Sequence, residues 1–347
     1  MERWTNQAAN EWWQQQKWPL GINYVTSDAV NNVEMWMDAT FNEALIKKEL
    51  GMARKIGFNS VRVFLSYTVW ANEGDRFLEN FEKFLVLADH ADISVMPVLF
   101  DDCAFDDGKD PVYGPQPEPI YGVHNSRWVP SPGAEVQDDP AQTDSLKAYV
   151  QTVIGTHKDD KRILVWDLYN EPGNGKPGEI KPGHRKRLDK ALPLLKNTFE
   201  WARACFPTQP LTAAPWLYAE SNRLVEEYCL SQSDVISFHS YHTIEKTLEL
   251  ISRFAKENRP MMVTEWLNRI GGNTIESHLP VFCEKKIGAW QWGMIQGRTQ
   301  ANLSSSTVRG GAPDPDPVLW QHDILYSDGS AYRQEELVII HNLSEKR

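Results

Sequence analysis

The stretch Ile163-Leu164-Val165-Trp166-Asp167-Leu168-Tyr169-Asn170-Glu171-Pro172 decides how the rest of this chain is interpreted. Its apolar residues predict a buried strand that runs directly into the carboxylate of Glu171, and Pro172-Gly173 stops the strand there. Pro260-Met261-Met262-Val263-Thr264-Glu265-Trp266 repeats this plan further along the chain. Reactive groups at the carboxyl ends of short apolar strands are typical of a parallel α/β barrel.

The two glutamates also indicate a chemistry, because glycoside hydrolysis uses a pair of carboxyl groups. Asn170-Glu171-Pro172 and Thr264-Glu265-Trp266 resemble the clan of retaining (β/α)8 glycoside hydrolases that contains the cellulase-like family 5. The resemblance implies that Glu171 is the general acid/base and Glu265 the nucleophile. It leaves the substrate open, since the clan acts on glucans, mannans, xylans and small β-glycosides.

The fold prediction follows from a regular alternation of apolar runs and helical patterns. We expect one (β/α)8 TIM barrel over residues 1–347, with an N-terminal helical arm at 1–19, long loops at 103–139 and 296–318, and a closing helix from Glu335 to Ile340. The strands besides the one that ends before Glu171 are expected at 20–25, 60–65, 95–100, 211–216, 235–241, 260–266 and 287–293.

Composition narrows the classes of partner. The chain has 347 residues with 36 Lys and Arg against 47 Asp and Glu, a formal net charge of −11. That charge repels phosphate backbones and anionic lipid, so we expect neither nucleic acid nor membrane as a partner. Four widely spaced cysteines indicate free buried thiols rather than a zinc knuckle or a redox pair. The start has no apolar signal segment, so a cytoplasmic protein is expected, or a secreted one whose signal peptide has been removed.

No cofactor is predicted. Residues 173–178 match G-x-G-x-x-G, but Lys181-Pro182-Gly183 stands where the helix of a dinucleotide site should begin. A metal-dependent barrel hydrolase is an alternative, with His239 and His242 beside Asp101 or Asp102 as ligands. Such barrels usually carry an early His-x-His on the first strand, where this chain has Asn23-Tyr24.

Arg62 lies among valines in the second strand. It must be paired there, because burying an unpaired charge costs roughly several kcal/mol of free energy. The resemblance implies that it supports Glu265, and a structural ion pair elsewhere in the barrel is the alternative. Asn170 is expected to bind the sugar hydroxyl next to the reacting carbon.

Three further residues are predicted at strand ends six and eight. His239 and Tyr241 are two residues apart and therefore share one face of their strand. The resemblance implies that the histidine holds the sugar, that the tyrosine holds the nucleophile, and that Trp292 is the platform under the reacting ring. Trp290 competes for the platform role, and ordinary barrel filling is the alternative for each.

Asp102, His124 and Trp128 complete the predicted substrate site. Asp102 follows the third strand, and the other two lie in the long loop 103–139, which mixes stacking faces with hydrogen-bond donors. A rigid surface loop is the competing interpretation. A carbohydrate-binding barrel without turnover remains the alternative to a β-linked glycan hydrolase.

Overall fold

Eight parallel strands form one sheet in the order β5-β4-β3-β2-β1-β8-β7-β6. The computed structural model describes residues 1–105, 109–174, 182–216 and 218–346, without the side chains of 182–187 and 189. The strands are β1 (Leu20–Tyr24), β2 (Ser60–Phe64), β3 (Ser94–Asp101), β4 (Trp166–Asn170), β5 (Leu211–Ala214), β6 (Ile236–His239), β7 (Met261–Glu265) and β8 (Gly288–Trp292).

Helices connect and surround these strands. They are α1 (Asn6–Gln14), α2 (Asn32–Trp36), α3 (Glu43–Ile56), α4 (Tyr67–Glu73), α5 (Asp75–His90), α6 (Ala134–Asp138), α7 (Thr143–His157), α8 (Pro182–Ala204), α9 (Arg223–Gln232), α10 (Ile244–Phe254), α11 (Ile275–Glu284) and α12 (Gln334–Ser344). In α3 the buried residues Ile46, Leu50 and Ala53 recur at helical spacing and face the sheet. Among the described residues, no helix combines the length and apolarity needed to cross a bilayer.

The two end strands of the ladder, β5 and β6, lie side by side and bring the barrel almost to closure. The backbone N–H of Asp234 donates to the carbonyl of Leu211 at 2.8 Å. The Thr212 hydroxyl donates to the carbonyl of Val235, also at 2.8 Å. The predicted (β/α)8 TIM barrel is thereby confirmed, and the carboxyl ends of all its strands open at one mouth.

The opposite end of the barrel is filled by the N-terminal arm. Helix α1 carries Trp12 and Trp13, which pack against a buried cluster that includes Met96, Met262 and Trp290. The arm therefore covers the amino ends of the strands and leaves the mouth at the other end for the site.

Two irregularities in strand register lie next to the predicted glutamates. The β4–β5 register shifts between Asp167 and Asn170, directly before Glu171. The β6–β7 register shifts between Phe238 and His239, and this second shift pairs His239 with Glu265. Such bulges change the direction of side chains at the rims of barrels. Both catalytic candidates therefore lie next to an interruption of the regular strand pairing.

Several sequence expectations need correction in detail. The loop 103–139 is not wholly irregular, because α6 lies within it, and the closing helix extends beyond the predicted bounds to Gln334–Ser344. Pro182 did not exclude a helix: α8 begins at it, since proline suits the first helical turn. That argument against a dinucleotide site was wrong, and residues 175–178 of the motif lie outside the described residues. The four cysteines are free, as predicted, but only Cys229 is buried, and Cys103, Cys205 and Cys283 are partly exposed.

Candidate active site

Glu171 and Glu265 converge at the mouth of the barrel. One oxygen from each carboxyl group and one ring nitrogen of His239 lie within 4.8 Å of one another. Both glutamates are almost buried, with 8% and 6% of their surfaces exposed. This upper limit on the distance between the nearest oxygens lies below the separation of roughly 6.5–9.5 Å between the carboxyl groups of inverting glycosidases.

The backbone presents Glu171 in an unusual conformation. Its φ is +47°, in the left-handed region that residues with a side chain seldom adopt. The strain is held by two bonds: the Glu171 N–H donates to the carbonyl of Ala214 at 2.9 Å, and its carbonyl accepts from the N–H of Asn174 at 2.9 Å. Strained residues held this firmly cluster at functional sites.

The partners of Glu265 favour its ionised form. Arg62 Nη1 donates to its Oε1 at 3.0 Å, and the Tyr241 hydroxyl donates to its Oε2 at 2.8 Å. Hydrogen bonds to an ionised acceptor are stronger than those between neutral groups. The Arg62 guanidinium and the Tyr241 phenol therefore stabilise negative charge on Glu265 more than on Glu171. Tyr241 thus takes the position beside the second glutamate that the sequence predicted.

Glu171 has weaker partners. Its Oε2 accepts from the Asn174 amide, and its Oε1 lies 2.7 Å from His239 Nδ1. Burial raises the pKa of the Glu171 carboxyl, opposed by the Asn174 amide and by the charges of Arg62 and Arg309. Burial also raises the pKa of Glu265, and the charge of Glu171 adds to the rise while His239, Arg62 and Tyr241 oppose it. The two groups titrate as a pair, and the stronger donors on Glu265 direct the retained proton to Glu171.

His239 is neutral in this environment, because burial lowers its pKa to about 4. Its Nδ1 lies between the acids, 2.7 Å from Glu171 and 3.6 Å from Glu265. Its Nε2 is buried and has no hydrogen-bond partner among the described residues. A protonated Glu171 can therefore donate to Nδ1, and the Nε2–H tautomer is then able to donate to a substrate hydroxyl.

Arg62 is completely buried and joins the two halves of the site. Besides Glu265 it donates to Asp167 Oδ2 at 2.9 Å, to Asn23 Oδ1 at 2.7 Å and to Asn170 Oδ1 at 2.6 Å. The predicted carboxylate partner is present, and a second one, Asp167, was missed. The sequence signal was available, because an acid inside an apolar strand needs a partner as much as Arg62 does.

Asn170 is held in a fixed orientation. Its carbonyl oxygen accepts from Arg62, and its amide donates to Asp101 Oδ1 at 2.8 Å. An amide nitrogen carries two hydrogens, so one remains for a ligand. Asp101, which also accepts from the Cys103 N–H at 2.8 Å, is a supporting residue that the sequence did not single out as part of this network.

An aromatic group forms one wall of the mouth. Trp292 is partly exposed, and its ring packs against the rings of Phe64 and Trp128 with centroids 5.5 and 5.7 Å away. Trp290 is fully buried and donates to Ser60 on the far side of the barrel interior, so Trp292 is the better placed of the two for a sugar. Trp128 is 1% exposed and donates to Asp101 at 2.8 Å. It backs Trp292, which corrects the expectation that it faces substrate.

Asp102 and His124 are likewise supports in this structure rather than cleft walls. Asp102 is fully buried and accepts from the Tyr169 hydroxyl at 2.9 Å and from the Gly173 N–H at 2.7 Å. It therefore fixes the turn after Glu171. His124 is 3% exposed, and its Nδ1 lies 2.9 Å from the carbonyl of Leu303. Burial lowers the pKa of its imidazole to about 4, so it is neutral.

The metal alternative finds little support in these contacts. His242 is exposed on the loop after β6, and Asp101 is engaged by Asn170, so the ligand set considered from the sequence is not assembled. The cluster of Glu171, His239 and Glu265 has suitable spacing. The Arg62 guanidinium already lies 3.0 Å from Glu265, however, and a second cation there would be repelled. In the other such cluster, Glu82, His157 and Asp160, Arg162 already pairs with both acids.

A cavity of about 530 Å³ lies between the loops that follow β7 and β8. Its lining includes Asn268, Gly271, Ser305, Arg309 and Gln321, and of the described lining residues only Arg309 is charged. The positive charge of Arg309 opposes the rise in the pKa of Glu171.

Comparison with known proteins identifies the fold. No protein-family profile and no curated protein sequence matches this chain. Among solved structures, a variant of a GH5_18 protein from Streptomyces cattleya, in complex with Manβ1-4GlcNAc, superposes with a TM-score of 0.65 at 14% identity over 95% of this chain and 81% of that one. The chain therefore shares the (β/α)8 barrel fold of this glycoside hydrolase.

Two further neighbours differ in their mode of action. An exo-β-1,4-mannosidase from Opitutaceae bacterium strain TAV5 gives a TM-score of 0.62 at 15% identity, over 94% of this chain and 59% of that one. An endo-1,4-β-mannanase from Rhizomucor miehei gives a TM-score of 0.57 at 13% identity, over 95% of this chain and 98% of that one. At these identities the likeness is one of fold.

Proposed function

We propose that the protein is a retaining β-glycoside hydrolase that acts on β-linked glycans by double displacement. The observation that carries this proposal is the convergence of Glu171 and Glu265, whose nearest carboxyl oxygens are within 4.8 Å. The separate environments of the two groups support their separate roles. Glu265 has the cation and the phenol, and Glu171 has a neutral imidazole and an amide.

In the first step, Glu265 attacks the anomeric carbon and a glycosyl–enzyme ester bond forms. The glycosidic carbon–oxygen bond breaks, and the proton of Glu171 moves to the leaving oxygen. Arg62 and Tyr241 hold the nucleophile in place and ionised. Asn170, itself fixed by Arg62 and Asp101, donates to the hydroxyl beside the reacting carbon, where a bond that strengthens in the transition state lowers the barrier.

In the second step, Glu171 accepts a proton from water while that water attacks the anomeric carbon. The ester bond to Glu265 breaks, and the sugar leaves with its original configuration. His239 lies between the two acids and keeps the proton of Glu171 in reach, because its Nδ1 is 2.7 Å from that carboxyl group.

β-Mannosides are the first substrates to test. The neighbours quoted above are named as an exo-β-1,4-mannosidase and an endo-1,4-β-mannanase, and the Streptomyces protein was crystallised with Manβ1-4GlcNAc. The residues at the reaction centre contact features that all β-pyranosides share, so β-glucosides and β-xylosides belong in the same panel.

The test is hydrolysis of 4-nitrophenyl β-glycosides and β-1,4-linked oligosaccharides by the wild type and by the Glu171→Ala and Glu265→Ala variants, each with and without EDTA. We expect turnover that survives the chelator and is lost in both variants. Loss with the chelator alone would favour the metal-dependent hydrolase. Sugar binding by calorimetry with no turnover of any glycan in the panel would favour a carbohydrate-binding barrel instead.

A further inference from the structure

Two loops at the mouth of the barrel are bonded directly to each other. We define the β3 loop as residues 102–139 and the β8 loop as residues 293–333. Gln300 on the β8 loop donates to the carbonyl of Ile120 at 2.8 Å and accepts from the N–H of Gly122 at 3.0 Å. The Asn125 N–H donates to the Thr299 carbonyl at 2.7 Å. We call this contact the loop seam.

The loop seam continues through a buried histidine. The His124 N–H donates to the Thr307 hydroxyl at 2.9 Å, and its ring lies 2.9 Å from the Leu303 carbonyl. Asn125, His124 and Leu303 are each no more than 3% exposed. The seam is therefore packed like a protein interior, and a glycan chain has no path between these loops without breaking it.

The loop after β1, residues 25–42, forms hydrogen bonds to both loops of the seam. The Arg298 N–H donates to the Ser27 carbonyl at 2.9 Å, and its guanidinium donates to Glu34 at 3.0 Å. From the other side, the Asn31 amide donates to the Arg127 carbonyl at 2.9 Å. Three loops thus form one connected wall.

The strand order fixes where this wall stands. The sheet runs β3-β2-β1-β8, so loops after β3 and β8 that meet each other close the mouth above β1 and β2. On the far side the connections are short: β6 ends at His239 and α10 begins at Ile244, and β5 ends at Ala214 with a helical turn from Glu220. In the described part of the chain, the cleft is therefore walled above β1 and β2 and bordered by short connections after β5 and β6.

The reaction centre indicates which part of the substrate faces the wall. His239 lies beside both acids on the β6 side, with Nδ1 2.7 Å from Glu171 and 3.6 Å from Glu265. On the seam side, Trp292 offers a partly exposed indole backed by Phe64 and Trp128. Because a pyranose packs on an aromatic face, the reacting sugar takes the Trp292 side and the leaving group extends toward β5 and β6.

We propose that this protein cleaves glycans from their non-reducing end. The loop seam blocks any glycan chain that extends past the reacting sugar on the Trp292 side of the cleft. The inference rests on the proposed glycosidase function and deepens it. The neighbours quoted above include both exo- and endo-acting enzymes, so the shared fold does not distinguish the two modes. The inference rests on the wall that the three loops form.

The experiment uses β-1,4-mannohexaose, or cellohexaose if that is the better substrate, labelled at the reducing end. We expect labelled products that appear in order of decreasing length as sugars leave the opposite end. A matched hexaose with a 4,6-O-benzylidene group on its non-reducing terminal sugar should resist hydrolysis. Early labelled products that arise from internal bonds, or equal rates for blocked and unblocked hexaose, would overturn the inference.

Gln300→Gly tests the wall itself. Gln300 has φ +52°, so glycine keeps the backbone conformation while it removes the side-chain bonds across the seam. Asn258→Gly is the matched control, because Asn258 also has φ +52° and is exposed in the connection that precedes β7, at the other end of the barrel. We expect the ratio of internal to terminal cleavage to rise several-fold in the Gln300 variant alone. An unchanged ratio in a variant with unaltered thermal unfolding would contradict the inference.

Failure of the function and failure of this inference give different results. If the wild type hydrolyses no β-glycoside, the proposed function fails, and binding to the Glu171→Gln variant still tests the wall by calorimetry. Tighter binding of unblocked than of blocked hexaose supports a wall that excludes a longer chain, and equal or absent binding overturns that wall.

Discussion

Tyr241→Phe tests how the nucleophile is kept ionised. The phenol donates to Glu265 Oε2 at 2.8 Å, and phenylalanine keeps the ring while it removes that one donor. A hydrogen bond to a charged group contributes about 1.5–3 kcal/mol. At about 1.36 kcal/mol for each pKa unit, the loss raises the pKa of Glu265 by roughly one to two units.

The sign of the effect on activity follows from the role of Glu265. Attack requires the carboxylate, so a higher pKa for Glu265 moves the acidic limb of the kcat/KM profile to higher pH by about one to two units. The limb belongs to the coupled carboxyl pair and is compared between variants rather than assigned to one group. The assay is the pH dependence of kcat/KM on a 4-nitrophenyl β-glycoside.

Tyr113→Phe is the matched control. It also removes one phenol that donates to a glutamate, because the Tyr113 hydroxyl bonds to Glu73 at 2.9 Å on the exposed rim. We expect its acidic limb to coincide with that of the wild type. If the Tyr241 variant retains the wild-type acidic limb while its thermal unfolding is unchanged, the phenol does not hold the nucleophile and this reasoning fails.

The other predictions concern the acid, the nearby cation and the buried arginine. Glu171→Gln should slow hydrolysis of alkyl β-glycosides by about 10²–10⁴ and preserve a burst with dinitrophenyl leaving groups, which need no proton; equal losses on both would contradict the acid role. Arg309→Gln should move the alkaline limb to higher pH, because its charge opposes the rise in the pKa of Glu171, whereas Arg223→Gln, an exposed arginine on α9, should leave the limb in place. Arg62→Leu should lower the free energy of unfolding in urea by about 3–5 kcal/mol, because it leaves buried carboxylates unpaired; a loss under about 1 kcal/mol would argue against that network.

The strand-end residues could be predicted because strand period and chain direction are local properties. Glu171 and Glu265 follow apolar runs, and His239 and Tyr241 share a face, so the barrel brings all four to one mouth. Arg62 was predictable for a different reason, since a cation inside a strand must have a carboxylate partner.

The loop residues could not be predicted in the same way. His124 is buried by contacts with Leu303 and Thr307, which lie far along the chain on another loop, and no local pattern marks such a pairing. Asp101 and Asp102 are adjacent and point in opposite directions from β3: one bonds to Asn170 and the other to Tyr169. The sequence does not show which way each side chain points, and Asp102 rather than Asp101 was predicted to bind substrate.

The backbone conformation at Glu171 could not be predicted from the sequence either. The expected strand runs smoothly into the carboxylate, whereas β4 breaks register between Asp167 and Asn170 and the glutamate turns to φ +47°. That turn is fixed by β5 and by the residues after Glu171, so it depends on tertiary contacts.

The anomer released first is the most direct test of the account. Proton NMR of a β-glycoside digested by the wild type, recorded before the product mutarotates, reports which face of the sugar the oxygen enters. Direct attack by Glu265 followed by water predicts the β-anomer first. The α-anomer first would mean that water reacts in a single displacement, which would contradict direct attack by Glu265.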